Sequence, residues 1–217
     1  MQVTKKTSST YYQSGNELSK KEQIYNNFLK NRGARDIERA YKSLNISDDC
    51  QLFNNCEMNL AELKSLAKFT SSAQFNYSGN CVLLAACLHY NIKNGGYFLS
   101  AENISLPFTG LDSVCVDRLI FGNVLDESYS IASFHQLKDY IVNCYLNTGS
   151  ISFIIHAESV VLGGALDTAH DFNAVVFNSD GVITIKFVDS WRKMHKVKSE
   201  KQMERSINHN TYFYVRA

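Results

Sequence analysis

The chain has 217 residues, a formal net charge of +1, 45% hydrophobic residues and 20% charged ones. That length bounds it at one domain with at most a small appendage, and the composition excludes a disordered or collagenous protein. The balance of 22 Lys and Arg against 21 Asp and Glu leaves no electrostatic footprint for nucleic acid or an anionic membrane, and no apolar run reaches the ~20 residues of a spanning helix.

Residues 1–18 are rich in Ser, Thr, Lys, Gln and Asn and read as a flexible leader, with 19–217 forming a single domain. From Ser19 to Phe69 the apolar spacing is helical. Ile24, Phe28 and Leu29 make one stripe, Ile37, Ala40, Tyr41 and Leu44 a second, and Leu60, Leu63, Leu66 and Ala67 a third. Asp48, Asp49 and Asn54–Asn55 punctuate the breaks. A further helix is expected from Cys81 to Ile92, closed by Asn94-Gly95-Gly96. Gly96–Gly110, which holds the single proline, Pro107, reads as irregular. Short helices are expected at Val114–Phe121 and Phe134–Tyr145. Strands are expected at Ile151–His156, Asp171–Asn178, Val182–Asp189 and Tyr212–Arg216, with a tight turn at Ser179-Asp180-Gly181. Helices first and strands second imply an α+β architecture.

The six cysteines are Cys50, Cys56, Cys81, Cys87, Cys115 and Cys144. An even count is compatible with three disulfides, but a chain this long buries an adequate core without them, and its first residues lack the apolar stretch of a signal peptide. Reduced thiols are therefore expected. Neither Cys50–Cys56 nor Cys81–Cys87 has zinc-ligand spacing, so no metal and no cofactor are expected.

Three segments carry the chemistry. Ser78-Gly79-Asn80-Cys81 runs straight into the apolar VLLAACLHY, which puts a thiol at a helix N-terminus, where unpaired N–H groups and the macrodipole favour thiolate. His170 enters one strand, and Asp189 leaves the next. If Asn178 and Gly181 close a two-residue turn, His170 lies directly opposite Asp189. If Asp180–Gly181 is the turn, the two are diagonal neighbours on one face. Either way the acid can orient the imidazole while the second ring nitrogen serves the thiol. The competing reading makes Cys81 a buried thiol, His170 a strand-end residue and Asp189 a turn former.

The order Cys…His…Asp, with the cysteine on a helix and the other two on a following sheet, resembles papain-like cysteine peptidases, and Asp189-Ser190-Trp191 is similar to their Asn-Ser-Trp segment. The strings YSGNCVLLAACLHYNI (Tyr77–Ile92), GLDS (Gly110–Ser113), HDFNAVV (His170–Val176), VDSW (Val188–Trp191) and the terminal FYVRA resemble, more closely, the SpvD-like virulence effectors of Salmonella. The likeness runs from about residue 75 onward. It implies a papain-like fold whose N-terminal helical half packs on a C-terminal antiparallel sheet. It also implies a thiol peptidase acting on a host protein to dampen innate immune signalling, delivered by a type III secretion system into the host cytoplasm with residues 1–18 as an uncleaved leader. Under it Cys81 is the nucleophile, His170 the general base and then acid, and Asp189 the orienter. A monomer is expected.

The match has departures. Papain-like enzymes carry a Gln shortly before the cysteine, whereas here Gln74 and Asn76 lie further off or differ in kind. The Cys81 backbone N–H is then the first oxyanion donor, with Asn80 or Gln74 as the second. Trp191 reads as a lid over the His170–Asp189 bond, against the alternative of a core aromatic. Gly163–Gly164 read equally as a mobile substrate loop or a plain turn. His89, His135, His156, His195 and His209 read as surface or packing residues. The basic run Arg192, Lys193, His195, Lys196 and Lys198 reads as a solvated face able to steer an acidic substrate. A glutamine deamidase or acyl transferase on the same fold, and a non-catalytic module that sequesters a host protein, are the competing functions.

Overall fold

Ten of the thirteen residues of helix α3 (Cys81–Lys93), from Val82 to Ile92, are buried. A helix apolar on every face has to be enclosed, and α3 is therefore the centre of the molecule. The computed structural model describes residues 33–53, 58–71, 80–101, 110–159, 168–191, 196–208 and 210–217, the side chains of Cys50 and Thr168 excepted. The predicted leader 1–18 and the stripe at Ile24, Phe28 and Leu29 lie outside the described residues.

Around α3 the helical half consists of α1 (residues 33–43), α2 (Leu60–Thr70) and α4 (Ser113–Phe121). The starts of α2 and α4 are written in short polar side chains. Asn59 accepts from the Glu62 N–H at 2.9 Å, and Asp112 accepts from the Cys115 N–H at 3.0 Å, caps worth about 1 kcal/mol each. On α2, Leu63, Leu66 and Ala67 are fully buried and meet Leu88 and Ile92 of α3.

One expectation fails in this half. Leu44–Leu52 is a strand, β1, not the continuation of a helical region, and Gly96–Ala101, expected to be irregular, is its antiparallel partner β2. The pairing slips register between Ile46 and Gln51. Its close approach depends on a missing side chain, because a Cβ on Gly96 would sit 2.9 Å from the Gln51 carbonyl oxygen.

The second half is a five-stranded antiparallel sheet in the order β6-β5-β4-β3-β7. Its strands are β3 (Ser152–Ser159), β4 (Thr168–Ser179), β5 (Val182–Val188), β6 (Val197–Ser199) and β7 (Thr211–Arg216). Side-chain alternation divides the sheet between two cores. Phe153, Ile155, Phe172, Ala174, Ile185 and Phe187 face α5 (Phe134–Thr148), which supplies Phe134, Leu137 and Ile141 from one stripe. Ile154, Val175 and Val188 face the α3 side. The sheet is thus covered on both faces, and α3 and α5 are its two lids. The mixed α+β architecture agrees with expectation. The small β6 and the five-residue α6 (Glu200–Glu204) were not anticipated.

Candidate active site

Cys81 is the first residue of α3, and the carbonyl of Asn80 accepts the first helical bond, from Leu84 at 3.1 Å. Asn80 is fully buried and its side chain makes no capping hydrogen bond. The half-buried thiol therefore stands at the positive end of the central helix.

The β4–β5 hairpin brings up the other two groups. Its turn is Asp180–Gly181, with φ of 53° and 83°, the left-handed pair that matches the twist of adjoining strands. This selects the second of the two registers the sequence allowed. Ser179 pairs with Val182 and Asn173 with Val188, so His170 and Asp189 are diagonal neighbours. Pairing stops at Val188, which lets Asp189 turn its carboxylate to His170. His170 Nε2 and Asp189 Oδ2 are 2.9 Å apart. With Nε2 engaged, Nδ1 is left to serve the Cys81 thiol.

Burial pulls the His170 imidazole down, but hydrogen bonds to Asp189 and Cys81, with the charges of both, outweigh it and the ring is pushed up to about 10. The environment thus favours the imidazolium, which can donate from Nε2 to the Asp189 carboxylate. The Asp189 carboxylate is almost completely withdrawn from water. Trp191 lies against this bond, its ring 5.2 Å from that of His170 and tilted by 58°. It also packs on the core around α3, so the lid and core readings describe the same half-buried ring.

Other thiols are different in kind. Cys87 is fully buried, and burial pushes its thiol up. Burial and the neighbouring Asp112 and Asp36 carboxylates push Cys115 up to about 12. Cys81, Cys87, Cys115 and Cys144 are free. Cys56 and the Cys50 side chain lie outside the described residues, as do Gln74, Gly163 and Gly164.

Lys196 corrects an expectation. The basic run reads as a solvated face, yet the Lys196 side chain is half-buried and donates to the carbonyls of Ser190 at 3.0 Å and Ser71 at 3.2 Å. His156, read as a surface or packing residue, also has partners. Its Nδ1 lies 2.6 Å from Asp171, and Arg216 in turn joins Asp171 to Asp117 of α4 at 2.6 Å each. His89 fits the packing reading, with burial pushing it down to about 4 beside Ser152.

Residues 10–217 match the family model described as Salmonella plasmid virulence protein SpvD. The chain belongs to the SpvD family. Among curated SpvD-family proteins it is 35% identical over 190 residues to virulence protein vsdE of Salmonella typhimurium and to virulence protein SpvD of Salmonella dublin, covering 87% of this chain and 88% of each relative. Solved structures of two variants of the Salmonella effector SpvD superpose on it with TM-scores of 0.77 and 0.70, at 35% and 33% identity. Each alignment covers 86% of this chain and 91% of the other. The mixed α+β fold with antiparallel sheets is therefore the fold of the SpvD structures.

Proposed function

We propose that this SpvD-family protein is a papain-like cysteine peptidase, a virulence effector delivered by a type III secretion system that cleaves a host protein in the host cytoplasm and so dampens innate immune signalling. One observation carries the chemical part of this reading: His170 is hydrogen-bonded to the buried Asp189 at 2.9 Å and is raised further by Cys81, which stands at the N-terminus of a buried helix. Nucleophile, proton carrier and orienter stand in sequence, which is the minimum set for acyl transfer through a thioester. The names of the relatives, a virulence protein and an effector, support the biological setting.

In the proposed reaction the Cys81 thiolate attacks the scissile carbonyl while His170 holds the proton. The developing oxyanion lies at the Cys81 backbone N–H, with Asn80 beside it. His170 then protonates the departing amine, forms the acyl-enzyme's water nucleophile by taking a proton back, and the thioester is hydrolysed. Asp189 keeps the ring in one tautomer and steadies the imidazolium. Trp191 keeps water off the His170–Asp189 bond.

The test is Cys81→Ala. The variant is expected to fold and to lose cleavage of host-cell lysate proteins completely, as read by mass spectrometry of new N-termini. Full cleavage by this variant would overturn the reading. A substrate mass gain of about 1 Da without chain cleavage would assign the same thiol to amide hydrolysis on a glutamine side chain instead.

A further inference from the structure

Asp189 follows the last residue of β5, where the ladder to β4 has already ended. What continues past that point is the pairing with the β6 side: the Asp189 N–H donates to the Lys196 carbonyl at 2.8 Å. The same residue also acts through its side chain. The Lys196 ammonium reaches the carbonyl of Ser190, next to the acid, and the carbonyl of Ser71, which caps the C-terminus of α2. A cation at a helix C-terminus is favoured by the macrodipole, and carbonyls there lack intrahelical donors. We propose that Lys196 is a positioning residue, a clamp that fixes the Asp189–Ser190 turn to the end of α2 and so sets the Asp189 carboxylate against His170.

The clamp joins the two halves of the fold. Ser71 belongs to the helical half that packs around α3 and Cys81, and Ser190 belongs to the sheet half that carries His170. A half-buried ammonium gives up hydration, a cost borne only where fixed acceptors replace the water. Two carbonyls do so here. The groups that act on His170 are Asp189 from the end of β5 and Cys81 from α3, so Lys196 works through Asp189 and never touches the reacting atoms.

The proposal rests on the peptidase reading, and the experiment separates the two. The probe is iodoacetamide, with the rate of Cys81 alkylation read by mass spectrometry across pH in the wild type, Lys196→Met and Lys196→Arg. An imidazolium held by Asp189 beside the sulfur favours nucleophilic attack, so the wild type is expected to alkylate at about pH 6 far faster than a free thiol. Lys196→Met is expected to slow that rate about tenfold, because a loosened Asp189 no longer holds the imidazolium against the sulfur, while Lys196→Arg recovers most of it. A residue that merely adds stability would lower the melting temperature and leave the rate at that pH unchanged, and this result overturns the clamp. If Lys196→Met does not fold, Lys196→Gln is read by the same criterion. A wild-type rate no faster than a free thiol overturns the peptidase reading and the clamp with it. A fast wild type with an equally fast Lys196→Met overturns the clamp alone.

Discussion

Two histidine–aspartate pairs sit on neighbouring strands of one sheet, and they differ in what holds the far side of the ring. His156 of β3 is bonded to Asp171 through Nδ1 at 2.6 Å and to Glu158 through Nε2 at 3.3 Å. His170 of β4 gives Nε2 to Asp189 at 2.9 Å, and the Cys81 thiol is the other group that raises it. Both carboxylates are buried. The first ring is closed between two acids and has no nitrogen left to exchange a proton with a nucleophile. The second keeps one nitrogen on the side of the thiol, as the proposed reaction requires. Asp171 is further committed to Arg216, whose other arm reaches Asp117, so the first pair belongs to a clasp across α4, β3, β4 and β7. Adjacency to an acid does not distinguish a proton carrier from a structural cation. The second nitrogen does.

The largest way to break this comparison is Arg216→Met. It strands Asp117 and Asp171 as buried charges and is expected to cost about 3–5 kcal/mol in denaturant unfolding. In the fraction that remains folded, Cys81 alkylation at neutral pH should be unchanged. His170→Asn is expected to touch both properties. It leaves the buried Asp189 without its imidazolium and lowers the unfolding midpoint, while Cys81 alkylation at about pH 6 falls by about 10²-fold. Loss of Cys81 reactivity in folded Arg216→Met, or its retention in His170→Asn, would erase the division of labour.

A smaller effect separates the pairs by pH. Burial opposes charge on both members of the clasp, but hydrogen bonding and opposite charge prevail. Asp171 is lowered by His156 and Arg216, and His156 is raised by Asp171 and Glu158. A lowered acid adds stability that is present above its unfolded value of about 3.9 and lost as pH falls; a raised histidine adds stability that is present below about 6.5 and lost as pH rises through its folded value. The contribution is therefore greatest between those limits. His156→Gln is expected to destabilise by about 1–2 kcal/mol near pH 5 and by less on the alkaline side, as urea titrations would show.

How much of this was legible beforehand follows the range of the interactions. Cys81 could be found because the signal is local: small polar residues, a thiol, then an apolar helix. His170 and Asp189 could be found because a hairpin converts spacing into register, and only the turn position stayed open until Asp180 and Gly181 were seen in the left-handed region. Strand β1 could not be found. Its sequence, LNISDDCQL, alternates only in two short pieces broken by Asp48-Asp49, and its antiparallel partner β2 approaches closely at Gly96. Arg216 and Asp117 are 99 residues apart, so neither carries a mark of the other. Lys196 was hidden by its neighbours, since a buried lysine inside a basic run looks like surface.

Trp191 is the chain's single tryptophan, and its ring is 5.2 Å from that of His170. Protonated imidazole quenches indole emission, so the molecule reports on its own candidate proton carrier. Fluorescence selective for tryptophan should carry a component that follows the raised titration of His170, and the difference between the wild type and His170→Asn isolates it from the ionisation of the twelve tyrosines. No substrate, label or knowledge of the host target is needed to read it. The question of which histidine is poised for chemistry thus becomes an optical titration of the intact protein.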